Sequence, residues 1–214
     1  MKGVLFDLDG VLINSEELYT EFWSDIDRQY PTGIEDFAYT IKGNNLARIL
    51  NTYFPDKKTQ DDIVSQLGVF EKNMPFCLYD GVIDFLNELN NAGIPIALVT
   101  SSGKGKMERL YEALPDFKSH FQRVITGDMV SKGKPDPECF ITGAQAIGVD
   151  IRDCWIFEDS PSGIKAALKS GAKVIALKTT LREADIDHSV NRIIPSLTGF
   201  KLDDLRRIDQ SYSE

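Results

Sequence analysis

The segment Val4-Leu5-Phe6-Asp7-Leu8-Asp9-Gly10 opens the chain with an apolar run that stops at two carboxylates spaced i, i+2, followed by a glycine. A run without alternation predicts a parallel strand covered on both faces. Asp7 then falls where the strand leaves the sheet, and in open α/β sheets that carboxyl edge is where ligands bind. Gly10 allows a sharp turn just after Asp9, so Asp7 and Asp9 can converge on one small site. Two acids beside a hydrophobic strand need a cation or a proton to offset them. A strand followed by a polar turn is the competing reading of these residues alone.

Four more apolar segments have the character of core strands: Ile94–Thr100, Val124–Thr126, Cys154–Glu158 and Val174–Leu177, with Ile193–Ile194 as a short sixth. Helix-spaced apolar stripes separate most of them, including Val82, Phe85, Leu86 and Leu89, then Met107, Leu110 and Leu114, and later Ile164, Ala167 and Leu168. This alternation predicts an α/β core with a doubly wound, Rossmann-like parallel sheet. Residues 15–80 break it, having four helical stripes and no strand pattern. The stripes are Leu18, Phe22, Ile26 and Tyr30; Ile34, Phe37, Ala38 and Ile41; Leu46, Ile49, Leu50, Tyr53 and Phe54; and Ile63, Leu67, Phe70 and Met74. Ser15 before Glu16 and Glu17 is the expected N-cap of the first helix. The expected organisation is a core of residues 1–14 and 81–214 with an all-helical cap of residues 15–80, set above the sheet's carboxyl edge. Residues 210–214 are expected to fray.

The chain has 214 residues, enough for one large domain or a domain with an insert, and is 42% hydrophobic and 27% charged, as in soluble globular proteins. A formal net charge of −9 disfavours nucleic acid and anionic membranes as partners, since both need a basic face. No window resembles a membrane span or a signal peptide. Cys77, Cys139 and Cys154 are odd in number and lack C-x-x-C spacing, which predicts buried free thiols and a cytoplasmic location. His120 and His188 cannot supply a zinc site by themselves.

Chemistry concentrates at the strand ends. Thr100-Ser101-Ser102-Gly103-Lys104 closes the second strand with hydroxyls and backbone N–H groups suited to a phosphate, or to capping the next helix. Gly103-Lys104-Gly105-Lys106 is not a P-loop, because no Ser or Thr follows the lysine in place. Pro135 restricts Lys134 to an extended conformation that can fix its ammonium inward, while Lys132 suits a solvated role. Glu158-Asp159-Ser160-Pro161 closes the fourth strand with two acids, suited to Mg²⁺ or to helix capping.

Taken together, D-x-D-G at 7–10, Thr100, Lys134-Pro135 and Glu158-Asp159-Ser160 resemble the haloacid dehalogenase superfamily. The likeness is to its β-phosphoglucomutase-like branch of phosphohydrolases with a helical cap, and it covers the whole chain. It implies that Asp7 attacks phosphorus to give an aspartyl phosphate. Asp9 would protonate the leaving oxygen and then take a proton from water, with Thr100 and Lys134 holding the phosphoryl oxygens. It also implies Mg²⁺ on the Asp7 carboxylate, the Asp9 backbone carbonyl and Asp159, with Glu158 acting through water. Leu8, Asp9, Thr100, Ser101, Ser102 and Lys134 make up the expected substrate-binding residues of the core. Four carboxylates against one lysine independently ask for a divalent ion, since like charges ~4 Å apart repel by roughly 4 kcal/mol at an effective dielectric near 20.

Three positions depart from the resemblance. Asn14 replaces a frequent aspartate. The mutase's cap histidine would fall at Tyr19 and its cap arginine near Leu46, which favours hydrolysis over phosphomutase chemistry. Dehalogenases of the superfamily lack the second aspartate, so Asp9 argues against that chemistry. The expected activity is therefore Mg²⁺-dependent hydrolysis of a small phosphorylated metabolite such as a sugar or polyol phosphate, by a monomer. A phosphomutase is the alternative, and a receiver-like phosphorylation-switched module a remote one. Ile41-Lys42-Gly43-Asn44-Asn45 is the candidate loop for reading the leaving group through Lys42, although Gly43 and the asparagines also suit helix capping.

Overall fold

The computed structural model describes residues 1–212. Six strands form one sheet in the order β3-β2-β1-β4-β5-β6, and every neighbouring pair is parallel. They are β1 (Gly3–Phe6), β2 (Ile96–Val99), β3 (Arg123–Ile125), β4 (Cys154–Glu158), β5 (Lys173–Leu177) and β6 (Arg192–Ile194). The first and second strands stop earlier than the apolar runs suggest, because the chain turns at Asp7 and at Thr100. The third is shifted by one residue.

The sequence runs outward from β1 through β2 to β3, then crosses to β4 on the other side of β1. That reversal makes a switch point at the carboxyl ends of β1 and β4. Every residue of β1, β2 and β4 is buried, whereas β3 and β6 at the edges each begin with an exposed arginine. Hydropathy hides the alternation of the central strands, but packing reveals it. Val4, Phe6, Leu98, Trp155 and Phe157 face α5 (Val82–Asn91), α6 (Lys104–Ala113) and α9 (Leu202–Gln210). Leu5, Ala97, Val99, Ile156 and Val174 face α7 (Glu138–Ala146) and α8 (Pro161–Ser170). On the first face the rings of Phe6 and Phe157 stack with centroids 4.8 Å apart, and Phe85 meets Phe6 edge-on.

Between β1 and β2 lie α1 (Glu16–Gln29), α2 (Phe37–Thr40), α3 (Leu46–Tyr53) and α4 (Lys57–Asn73), which make the inserted helical cap. They bury a separate cluster that includes Phe22, Trp23, Ile26, Phe37, Ile49, Leu50 and Ile63. Two connecting segments join this cluster to the sheet side by side. Asn14 N–H donates to Cys77 O at 2.8 Å, Tyr79 N–H donates to Leu12 O at 3.0 Å, and Ile13 bridges Leu78 in antiparallel fashion.

Several expectations need correction. The second helix is one turn only, and Ile34 is exposed, because Gly33 and Asp36 take positive φ and break the stripe. Cys77 is exposed, on a connecting segment outside either core, whereas Cys139 and Cys154 are buried as expected. Ser15 is the N-cap of α1 by position, but its hydroxyl makes no capping bond and instead donates to Asp9. At the C-terminus, Gln210 is helical and the Tyr212 hydroxyl donates to Asn191 O; residues 213–214 of the expected frayed tail lie outside the described residues. No helix among the described residues is long and apolar enough to cross a membrane.

Gly143 sets the distance of α7 from the sheet: a Cβ there would lie 2.7 Å from Cγ2 of Val99, which is stiff at χ1 on a central strand. Gly143→Val is expected to lose roughly 1–3 kcal/mol of stability by overpacking, read as a lower urea midpoint. An unchanged or raised midpoint contradicts this packing.

Candidate active site

Asp7 directly follows β1, and its N–H still pairs with Phe157 O at 3.0 Å, so β1 and β4 together fix where the carboxylate emerges. The chain then curls: Leu12 and Ile13 N–H both donate to Leu8 O, and Gly10 N–H donates to Ile13 O. Gly10 sits at φ 77°, and any Cβ there would collide with the Asp159 carboxylate. Leu8 points into the core with no exposed surface. Its side chain therefore cannot meet a substrate, and anything it offers comes from its backbone.

Asp7, Glu158 and Asp159, all buried, place carboxylate oxygens within 4.8 Å of one another. Lys134 enters from the loop after β3, is 1% exposed, and donates to Asp7 Oδ1 at 2.7 Å and to Glu158 Oε1 at 2.6 Å. The other oxygen of Glu158 accepts the N–H groups of Asp159 and Ser160, each at 2.7 Å, and the Ser160 hydroxyl at 3.0 Å. Ser160 in turn caps α8 by accepting from Gly163 N–H, which satisfies the capping reading of this strand end as well. Asp159 accepts from the Thr180 hydroxyl through Oδ2, while its Oδ1 is buried without a partner.

These carboxyls are poorly compensated. Burial pushes the Asp7 carboxyl up to about 7 even though Lys134 opposes the shift. Burial, then the nearby charges of Glu158 and others, holds Asp159 well above the ordinary carboxyl value. For Lys134 burial acts downward, but Asp7 and Glu158 outweigh it and raise the ammonium above its usual value. An orphaned carboxylate oxygen among hard oxygen donors is the environment a small divalent cation fits.

Asp9 has a different set of partners. Lys106 Nζ donates to it at 2.5 Å, Ser102 Oγ at 3.0 Å, and the Ser15 hydroxyl as well. Burial alone would raise this carboxyl; Lys106 and the hydroxyls outweigh it and hold it below its ordinary value. Lys106 was not among the residues expected from sequence. It is 3% exposed, so the cluster contains a second buried cation and the expectation of one lysine is corrected. The available signal was spacing: Lys106 lies four residues before buried Leu110, on the inward stripe of α6.

Lys106 also ties the site to the cap. Its Nζ lies 4.4 Å from the Tyr19 ring centroid; the Tyr19 hydroxyl donates to Glu71 on α4, and Arg109 on α6 donates to the same carboxylate at 2.6 Å. Tyr19, at the position where the resemblance would put the mutase histidine, is thus part of a polar link between α1, α4 and α6.

The loop from Ile41 to Asn45 lies over the strand ends. Ser101 Oγ donates to Gly43 O, and Ser162 Oγ to Lys42 O, each at 3.0 Å. Asn45 caps α3, accepting from Arg48 N–H at 2.9 Å. Lys42 Nζ is bound to Glu16 at 2.5 Å and to Thr20 Oγ1 at 3.0 Å. Thr100 is 3% exposed, and its hydroxyl accepts from Ser102 N–H. A cavity of about 510 Å³ brings together Asp7, Asp9, Thr100, Ser101, Ser102 and Lys42, with Lys106 and Leu46 also on its wall. Lys134, Glu158 and Asp159 stand behind Asp7, outside that lining.

Comparison with known proteins gives a consistent result. A family model described as haloacid dehalogenase-like hydrolase matches residues 1–171. Hexitol phosphatase A of Escherichia coli (strain K12) is 31% identical over 203 residues, covering 90% of this chain and 93% of the relative. Validoxylamine A 7′-phosphate phosphatase of Streptomyces hygroscopicus subsp. limoneus is 31% identical over 196 residues, covering 86% of this chain and 92% of the relative. Among solved structures, a putative β-phosphoglucomutase from Bacteroides vulgatus superposes with a TM-score of 0.83 at 25% identity, covering 99% of this chain and 89% of that one.

The raised carboxyls have a consequence for stability. With Asp7 and Asp159 titrating above their unfolded values, the metal-free folded protein holds protons that the unfolded chain has already lost. Its melting temperature in EDTA is expected to rise as the pH falls from about 8 to about 6. Mg²⁺ should raise the melting temperature most at the upper end and so flatten the dependence, while Asp159→Asn should lose most of the Mg²⁺ shift. A melting temperature in EDTA that falls over this range, or a full Mg²⁺ shift in Asp159→Asn, contradicts the assignment.

Proposed function

The chain belongs to the haloacid dehalogenase-like hydrolase family, and we propose that it is a Mg²⁺-dependent phosphatase acting on a small phosphorylated metabolite, of the sugar or polyol phosphate kind. The observation that carries this reading is the buried triad of Asp7, Glu158 and Asp159, with Lys134 bonded to Asp7 and Glu158 and with Asp7 lining a cavity that has Asp9 on its wall. The two phosphatases at 31% identity, named for a hexitol phosphate and for validoxylamine A 7′-phosphate, support the substrate class.

Asp7 is the nucleophile: its carboxylate attacks phosphorus, the ester oxygen leaves, and an aspartyl phosphate forms. Lys134 orients Asp7 and, with Thr100, meets the phosphoryl oxygens. Asp9 protonates the leaving oxygen and then takes a proton from the water that hydrolyses the intermediate. Three donors bracket the Asp9 carboxylate and hold it ionised. The first of those steps therefore requires it to leave Lys106 and to carry a proton, which it takes from solvent in the first turnover and from the hydrolytic water of the preceding one thereafter. The Asp7 and Asp159 carboxylates and the Asp9 carbonyl would hold Mg²⁺, with Glu158 behind them. When bound, the ion offsets the repulsion between these acids and a phosphate dianion. Residues 15–80 form the cap that excludes water and contacts the leaving group, and residues 1–14 and 81–214 the core that supplies the chemistry.

Asp7→Asn preserves shape but is a far poorer nucleophile, and phosphate release in Mg²⁺ should fall to background. Asp9→Asn should slow release from alkyl phosphates by about 10²–10⁴-fold, and slow aspartyl-enzyme formation from p-nitrophenyl phosphate much less, because that leaving group needs no proton. Full turnover by Asp7→Asn or in EDTA, or equal losses for good and poor leaving groups in Asp9→Asn, would show this mechanism to be wrong.

A further inference from the structure

The cavity above the acid cluster is unevenly charged. Five carboxylates line it, those of Asp7, Asp9, Glu16, Glu71 and Asp128, against the two ammonium groups of Lys42 and Lys106. Neither ammonium is unclaimed. Lys42 and Glu16 pair at 2.5 Å with only 10% and 15% of their side chains exposed, and Thr20 adds a hydrogen bond to Lys42. Lys106 pairs with Asp9 at 2.5 Å, and its open side is covered by the Tyr19 ring. Arg109, on the far side of Tyr19, is bound to Glu71. The wall formed by the cap is otherwise apolar, through Trp23, Ile41, Leu46, Ile49 and Leu67, with Asn44 and Thr20 adding amide and hydroxyl groups.

We infer that this cavity selects an uncharged, hydroxylated leaving group with one apolar face, and rejects esters that carry a second phosphate or a carboxylate. The inference rests on the phosphatase reading above and adds to it the charge of the substrate. One phosphoryl group is provided for by Lys134, Thr100 and the Mg²⁺ that the acid cluster would hold. A second anion would have to pull Lys42 from Glu16 or Lys106 from Asp9, and in each case would leave a largely buried carboxylate facing it. A polyol makes no such demand. Thr20 Oγ1 already donates to Glu16 O and accepts from Lys42, and Asn44 Nδ2 donates to Ile41 O, so what these groups offer is acceptor capacity, on Asn44 Oδ1 and the remaining lone pair of Thr20 Oγ1. Hydroxyls can donate to both, which an anion cannot, and the C–H face can lie on the apolar wall. The same charge arrangement works against phosphomutase chemistry that passes through a bisphosphate. A lysine ammonium by itself suits an anionic or a hydroxylated partner; its pairing with Glu16 decides for the hydroxylated one.

Phosphate release by the full chain in Mg²⁺ tests the inference. The probes are a panel of hexitol, pentitol and hexose monophosphates, with p-nitrophenyl phosphate as reference. For the best neutral monoester, its bisphosphate and its phosphorylated aldonic acid counterparts are then compared. The neutral ester is expected to exceed both in kcat/KM by at least about tenfold. Glu16→Gln, which leaves Lys42 uncompensated, should narrow the gap to the bisphosphate by at least about threefold, chiefly through a lower KM for the bisphosphate. A bisphosphate or aldonate within tenfold of the neutral ester, or better than it, overturns the inference while leaving the phosphatase reading intact. An unchanged ratio of the two kcat/KM values in a folded Glu16→Gln, whatever its absolute rate, overturns the role given to the Lys42–Glu16 pair. No release from any ester, p-nitrophenyl phosphate included, removes the phosphatase reading and this inference with it.

Discussion

Three buried carboxylates, Asp7, Glu158 and Asp159, crowd oxygens within 4.8 Å at the middle of the sheet's carboxyl edge, and among the described residues Lys134 is the cation bonded to Asp7 and Glu158. Each close pair of ionised carboxylates costs roughly 4 kcal/mol at 4 Å and an effective dielectric near 20, which adds to burial in holding Asp7 and Asp159 above the ordinary carboxyl value. Parallel pairing of β1 with β4 sets the two strand ends side by side. Stacked Phe6 and Phe157 lock that pairing from below, and Gly10 lets the chain turn without striking Asp159. The Glu158 carboxylate is held by two backbone N–H groups as well as by Lys134.

Asp9 lies two residues from Asp7 but belongs to a separate electrostatic unit. Its partners come from α1's entry, the loop after β2 and the first turn of α6. Through Lys106, Tyr19, Glu71 and Arg109 the same unit reaches α4, so the group proposed as acid and base is bonded into the contact between cap and sheet. The cap is joined to the sheet by two neighbouring segments, around Ile13 and Leu78, while Ser101 and Ser162 hold the loop at Lys42–Gly43 from the opposite side. Displacement of these few polar contacts by a substrate is the step that would link binding to the position of Asp9.

The strands and the acids were legible because a buried parallel strand announces itself as an unbroken apolar run, and because the polar residue that ends it has one place to go. Asp7, Thr100 and Glu158-Asp159 are all of this kind. What sequence did not reveal depends on pairing over long separations. Lys106 meets Asp9 across 97 residues, and Lys42 meets Glu16 across 26. A lysine on a helix reads as solvated unless its stripe is followed to its buried end, as at Leu110. Likewise the apolar spacing around Ile34 looked helical, but Gly33 and Asp36 at positive φ outweigh a stripe in so short a segment. Ser15 had the right type and place for a cap, yet its hydroxyl found a stronger acceptor in a carboxylate.

The central claim is that the acid cluster is a phosphoryl-transfer centre whose nucleophile is Asp7. Rapid acid quench of the enzyme turning over a phosphate ester in Mg²⁺, followed by peptide mass spectrometry, addresses that claim directly, since acyl phosphates survive acid. The account predicts a phosphoryl adduct on Asp7 that forms before steady-state phosphate release and is absent from Asp7→Asn. A pre-steady-state burst of phosphate with no adduct, or an adduct on any other residue, would contradict it.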